Sequence, residues 1–314
     1  MNTLLVTGAT GFIGRNLIRD LIFNSQFQRV VCLVRKENDW LTQLKTGIEV
    51  VKCDLQNLSQ VRAVFEQYNP NTVVHLAANP LVKPDESNPN QIWQDNVLTT
   101  NNLISCCNNT KFVFASTITV YGDTKGRMSE YQICKPTSAY ALTKLTCEEM
   151  LKLGEKQGKV IPVILRICAN VGRYSTHGVV HDFIRKIKEN QTTLEVLGDK
   201  PGSSKPYISV YDTVTAIKRA INYNAPDQRF SGPVNIFNIC NSDSLSIENL
   251  AQAVLSALQE KRDIKWLGAA SNWKGDNPVI NGDNYLAKKY LNWEPQFNSY
   301  DSVYWGVKEI CQVS

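Results

Sequence analysis

The chain holds 314 residues, 43% of them hydrophobic and 20% charged, and its 34 Lys+Arg outnumber 29 Asp+Glu for a net charge of +5. These proportions belong to one large or two small globular domains and exclude a disordered or collagen-like chain. Apolar stretches such as Val160 to Ile167 fall far short of the roughly 20 residues a membrane span needs, and basic residues never run beyond a pair. Neither a membrane nor a nucleic acid is therefore an expected partner.

The opening MNTLLVTGATG brings in turn residues by Thr7, too early for the apolar core of a secretory leader, and a cytoplasmic location is expected. In chain order, the apolar run Leu4 to Thr7 is followed by helical periodicity over Phe12 to Phe23 and a second run at Val30 to Val34. Val50 to Lys52, a helix around Leu58 to Tyr68, Val73 to Ala77, a helix around Ile92 to Cys107 and Phe112 to Ala115 continue the alternation. A helix from about Ala139 to Gln157 then leads to the strand Val160 to Ile167. This rhythm predicts an α/β protein, a Rossmann-type doubly wound parallel sheet. Beyond it, segments richer in Asn, Gly, Ser, Lys and Trp predict a smaller mixed C-terminal substrate domain. The expected division is a dinucleotide-binding domain at 1–167 plus 207–240 and a nucleotide-sugar-binding domain at 168–206 plus 241–314.

Nine cysteines with no C-x-x-C pair read as free, mostly buried thiols of a reducing compartment. No metal site is expected: the pair His177 and His181 lacks the Glu that an H-E-x-x-H zinc motif requires after its first His.

The turn Gly8-Ala9-Thr10-Gly11-Phe12-Ile13-Gly14 sets three glycines, each three apart, between a strand and an amphipathic helix. The first allows a tight turn, the second lets a pyrophosphate approach the backbone, and the third lets helix and strand pack closely. The phosphates then lie at a helix N-terminus, where free N–H groups favour an anion. The carboxylate that holds an adenosine ribose is expected about 20 residues past the last glycine. That count lands on Val34, followed by Arg35 and Lys36. Arg35 has the planar fork for a 2′-phosphate, which favours NADP over NAD; the alternative is an Arg35 that is solvated or stacked on adenine.

Tyr140 and Lys144 stand at i, i+4 on one helical face, so an ammonium is expected beside the phenol, lowering it from its ordinary value of about 10. The buried strand Phe112 to Ala115 runs into Ser116 and Thr117, 23 residues before Tyr140. Thr117 is the choice to hydrogen-bond the substrate oxygen whose proton Tyr140 handles, with Ser116 second.

These residues resemble those of the extended short-chain dehydrogenases/reductases, a family of nucleotide-sugar epimerases, dehydratases and reductases. The resemblance covers nearly the whole chain. It includes the glycine turn, Asp54-Leu55, His75-Leu76-Ala77-Ala78, Asn96, Val120-Tyr121-Gly122, Tyr140/Lys144, Leu165-Arg166 with Asn170, and Leu291-Asn292-Trp293-Glu294-Pro295. It implies catalysis by Thr117, Tyr140 and Lys144, with Lys144 also reaching the nicotinamide ribose. It further implies Asp54 and Leu55 beside the adenine, Leu76, Ala77 and Ala78 along the cofactor, Asn96 supporting the active-site helix, and homodimers built through a four-helix bundle. Dehydratases of the family carry Asp-Glu directly after the Thr; Ile118 and Thr119 stand there, facing the substrate in this reading, and disfavour dehydration. The remaining choices are an NADPH-preferring 4-keto-sugar-nucleotide reductase and, as the alternative, a UDP-hexose 4-epimerase holding NAD. A non-catalytic NADP sensor is a remote third reading, disfavoured by the Tyr/Lys pair. A nucleoside-diphosphate sugar is the implied ligand, with Asn170, Lys205 and Lys274 toward its diphosphate; lysine replaces the family's arginine at the last two positions.

Overall fold

Leu4, Leu5 and Val6 are entirely shielded from solvent, and this first strand sits in the middle of the sheet that organises the N-terminal part of the chain. The computed structural model describes every residue except 1, 25, 37, 45–46, 82–87, 124–125, 190–191, 226–234, 269–278 and 314. Seven strands, β1 (Thr3–Thr7), β2 (Arg29–Val34), β3 (Ile48–Lys52), β4 (Thr72–His75), β5 (Thr110–Thr117), β6 (Val160–Ile167) and β7 (Ile236–Ile239), are ordered β7-β6-β5-β4-β1-β2-β3. The ladders from β3 through β2, β1 and β4 to β5 are parallel. Val, Ile and Leu dominate these strands because helices cover both faces, as a parallel sheet requires.

The helices of this part are α1 (Phe12–Asn24), α2 (Asp39–Thr42), α3 (Leu58–Tyr68), α4 (Pro89–Trp93), α5 (Thr99–Cys106) and α6 (Ala139–Lys156). Helix α1 buries Gly14, Leu17, Ile18 and Leu21, the i, i+3, i+4, i+7 stripe of a core-facing helix. The Asn57 side chain caps α3 by accepting from the Ser59 and Gln60 amides, and Asn69 ends it in the left-handed region at φ 40°. Ser138 caps α6 through the Ala141 amide. The segment read from sequence as one helix from Ile92 is interrupted. Between α4 and α5 the chain makes a π turn over Gln94–Leu98, and the consecutive residues Asp95 and Asn96 both hydrogen-bond Asn79 in the loop after β4.

The chain divides into two compact units. The first comprises Met1–Gly122, Ile133–Arg166 and Ile217–Phe237, the second Asp123–Gln132, Ile167–Ala216 and Asn238–Ser314. In the first, the chain winds β1-β2-β3 to one side and then crosses to β4 on the other, so the loops after β1 and β4 face each other across the point where strand order reverses. Ligand crevices of open α/β sheets lie at such points.

The second unit is held by short pairings: Ala169–Val171 with Tyr207–Ser209, Thr193–Val196 with Asp263–Trp266, and Arg127–Met128 with Asn281–Gly282. Its core includes Phe183, Ile184 and Leu194 against Leu250, Val254 and Val307. Trp293, 2% exposed, donates its indole N–H to the Asp212 carbonyl at 2.9 Å.

Candidate active site

The glycine turn is built as its spacing predicts. Gly11 N–H donates to the Gly8 carbonyl at 2.9 Å, and Gly8 takes φ +69°. A Cβ on Gly8 would lie 2.6 Å from the Ala77 nitrogen, so the β1 turn presses directly on the loop after β4. A Cβ on Gly14 would overlap the Gly8 carbonyl and come within 2.8 Å of Ala9 Cα. At Gly11 the nearest atom is the Gly8 oxygen at 3.2 Å, and both Gly11 and Thr10 are exposed. Phe12 and Ile13, half-buried, open α1, whose first turn carries no acidic residue. A turn left exposed at Thr10 and Gly11, on the N-terminus of a 13-residue helix, fits a dinucleotide pyrophosphate.

Along the same edge, Leu76, Ala77 and Ala78 are half-buried, and Thr7 Oγ1 accepts from the Ala77 amide at 3.2 Å. Thr7 Oγ1 also lies 2.6 Å from His75 Nδ1, while His75 Nε2 is 3.0 Å from Thr100 Oγ1. His75 is a fully partnered core histidine, and burial lowers its pKa to about 3. Leu55 is buried; Asp54 is exposed and accepts from the Gln56 amide at 3.0 Å. Arg35 follows β2 with its side chain 74% exposed. Its guanidinium approaches the Asp95 carboxylate at 3.9 Å, a partner that reading the sequence did not reveal.

Lys144, 2% exposed on α6, points its ammonium at the end of β5: Nζ donates to the Ala115 carbonyl at 2.7 Å and lies 4.6 Å from the centre of the Phe114 ring. It is 6.0 Å from the centre of the Tyr140 ring, so both members of the predicted pair reach one edge. The expected electrostatics do not follow. Burial pushes the Tyr140 phenol up to about 12 and the Lys144 ammonium down to about 8. Desolvation is the largest cause of both shifts, and the ammonium is engaged by the Ala115 carbonyl.

Thr117, 7% exposed, ends β5 and caps the short turn Ile118–Tyr121 through the Thr119 amide at 3.2 Å; its Oγ1 is 3.0 Å from Thr119 Oγ1. Ile118 is buried and Thr119 half-buried. Ser116, one residue earlier, points the other way and donates to the Glu148 carboxylate. Glu148 in turn forms a bidentate pair with Arg166, 2.6 Å at its closest, with both side chains almost wholly buried. A lone Arg inside the apolar run of β6 is the sequence signal for that partner, because a buried charge demands one.

Asn96, 2% exposed, ties the site together: Nδ2 donates to the Asn79 carbonyl at 3.2 Å and to Thr143 Oγ1 at 3.0 Å, linking the loop after β4 to α6.

In the second unit, Asn170 uses its side chain internally, donating to the Cys168 carbonyl at 2.9 Å and accepting from Thr213 Oγ1 at 2.5 Å. Lys205 lies half-buried in the pairing of Ser204–Lys205 with Leu245–Ser246. Lys274 falls outside the described residues. Among the described residues no cluster of metal-binding side chains occurs and no helix is long and apolar enough to cross a membrane.

A glycine turn at the switch point and a Tyr/Lys helix against the β5 edge define a dinucleotide-binding α/β protein of the short-chain dehydrogenase/reductase type. Residues 4–240 match the model of the NAD dependent epimerase/dehydratase family, and the chain belongs to that family. It is 26% identical over 274 residues to dTDP-4-dehydro-6-deoxyglucose reductase of Escherichia coli, covering 83% of each chain. It is 26% identical over 332 residues to UDP-glucose 4-epimerase of Drosophila melanogaster, covering 94% of this chain and 92% of the relative. A solved UDP-galactose 4-epimerase superposes with TM-score 0.81 at 25% identity, over 99% of both chains.

Proposed function

We propose that this protein interconverts a 4-keto and a 4-hydroxy group on the sugar of a nucleoside-diphosphate sugar, with Thr117, Tyr140 and Lys144 as catalytic residues. The observation that carries this reading is the convergence of Tyr140 and Lys144 on the end of β5, beside a glycine turn open to a pyrophosphate. A bound nicotinamide supplies or takes up the hydride. Tyr140 handles the proton of the C4 oxygen, Thr117 hydrogen-bonds that oxygen, and Lys144 anchors the nicotinamide ribose hydroxyls. The first unit binds the dinucleotide and the second the nucleotide sugar, with Asn170, Lys205 and Lys274 toward its diphosphate.

Two versions of this chemistry each have support. A phenol pushed up to about 12 is neutral at working pH and ready to donate to a 4-keto oxygen, which favours a 4-keto-sugar-nucleotide reductase, and the exposed Arg35 is the side chain that would meet the 2′-phosphate of NADPH in that version. The carboxylate facing Arg35 favours NAD and a UDP-hexose 4-epimerase. The exposed Leu98, Leu142 and Leu153 on the segments around α5 and α6 suit a homodimer closed by a four-helix bundle. Incubation with UDP-glucose, and separately with a dTDP-4-keto-6-deoxy sugar plus NADPH, tests both versions. Formation of UDP-galactose supports the epimerase and net NADPH oxidation the reductase. A Tyr140→Phe variant with wild-type turnover refutes the shared mechanism.

A further inference from the structure

Asp95 is the meeting point of donors from four separate segments. Its Oδ1 accepts from Gln56 Nε2 at 2.9 Å and from Gln91 Nε2 at 3.1 Å, and its Oδ2 accepts from Asn79 Nδ2 at 2.9 Å. Arg35 Nη1 approaches Oδ1 at 3.9 Å. Gln56 belongs to the loop after β3, Asn79 to the loop after β4, Gln91 to α4 and Arg35 to the end of β2. Three neutral amides hold the carboxylate rigidly, yet its side chain keeps 15% exposure. A carboxylate offers about four acceptor positions, so one on Oδ2 remains for a hydroxyl arriving from solvent.

From this geometry we infer that Asp95 is the residue that selects between the two dinucleotides, and that it selects the one with a free 2′-hydroxyl, NAD. The inference rests on the reading of this cleft as the dinucleotide site and deepens it. Where many dinucleotide sites carry an acid at the end of the second strand to hold the adenosine ribose, this chain has Val34 and Arg35. The π turn over Gln94–Leu98 brings a carboxylate to Arg35 from a different element. A ribose hydroxyl can donate to it. A 2′-phosphate meets a like charge that three amides prevent from swinging aside, and the Arg35 charge that would attract the phosphate is already countered. At a common distance and dielectric the Arg attraction and the Asp repulsion are of equal size, so Arg35 gives no net preference for NADP.

The test is a calorimetric titration of the purified full-length chain, freed of bound nucleotide, with NADH and with NADPH. Wild type is expected to bind NADH at least ~10-fold more tightly, the worth of one charge-assisted hydrogen bond. Asp95→Asn keeps the size of the side chain and removes its charge; it is expected to weaken NADH by about that factor and to tighten NADPH. Gln56→Leu unlocks Oδ1 without touching the charge and is expected to narrow the NADH-to-NADPH ratio by less. Tighter NADPH binding by wild type, or a ratio that Asp95→Asn leaves unchanged, overturns the role of Asp95 while leaving the dinucleotide site intact. Binding of neither nucleotide overturns the dinucleotide site itself, and this inference with it.

Discussion

Lys144→Met is expected to make the protein more stable and all but inactive. The ammonium is 2% exposed, and burial holds it at about 8 against an ordinary 10.5. That displacement corresponds to about 3 kcal/mol against the charged form at neutral pH. Methionine keeps the volume and the packing on Phe114 but leaves the Ala115 carbonyl without its donor, which takes back about 1–2 kcal/mol. The net expectation at pH 7 is a gain of about 1–2 kcal/mol, a rise of a few degrees in the unfolding midpoint. The difference depends on pH in a defined window. Because the folded pKa is depressed, the wild-type penalty is complete below about 8 and is relieved as pH rises to 10.5, so the advantage of the methionine shrinks across that interval. Turnover of a 4-keto or 4-hydroxy nucleotide sugar should fall by ~10²–10⁴-fold at every pH. Thermal unfolding at pH 7 and pH 10, beside a turnover assay, reads all of this. A variant less stable than wild type at pH 7, with no convergence toward pH 10, refutes the claim that burial of the charge dominates at this position.

Glu148→Gln should destabilise the protein by about 3–5 kcal/mol in chemical denaturation, because it leaves Arg166 buried and uncompensated, whereas the double variant Glu148→Met, Arg166→Met should recover most of that loss. His75, held neutral at about 3 against 6.5, makes stability fall as pH drops from about 6.5 toward 3; in His75→Asn the same acid titration followed by circular dichroism should be flatter. Gly14→Ala drives a methyl into the Gly8 carbonyl and should abolish dinucleotide binding in calorimetry, with Gly11→Ala milder because its Cβ meets only one atom. Leu142→Asp places a charge on an exposed apolar position of α6 and should convert the proposed homodimer to monomer in sedimentation, with the fold intact by circular dichroism.

What could be read in advance follows from how local the cause of each feature is. The glycine turn and the α1 stripe depend on residues a few positions apart, and periodicity shows both directly. The i, i+4 spacing alone puts Tyr140 and Lys144 on one face of α6, since a helix face is a local property. Their protonation is not local: burial is the largest cause of both shifts, and the Lys144 ammonium is buried against Phe114 and the Ala115 carbonyl on β5. The carboxylate beside Arg35 is hidden from a spacing argument for a similar reason. Counting along the second strand assumes that the acid comes from that strand, whereas Asp95 reaches the spot from a segment 60 residues later, through a π turn that no 3.6-residue period announces. The Glu148–Arg166 pair lies between these extremes. An arginine within the apolar run of β6 signals that a buried acid must exist, and only the packing of α6 on the sheet says which one. Charges set by a distant partner are therefore what a spacing argument does not reach, and the partners of Arg35, Lys144 and Arg166 all come from elements far along the chain.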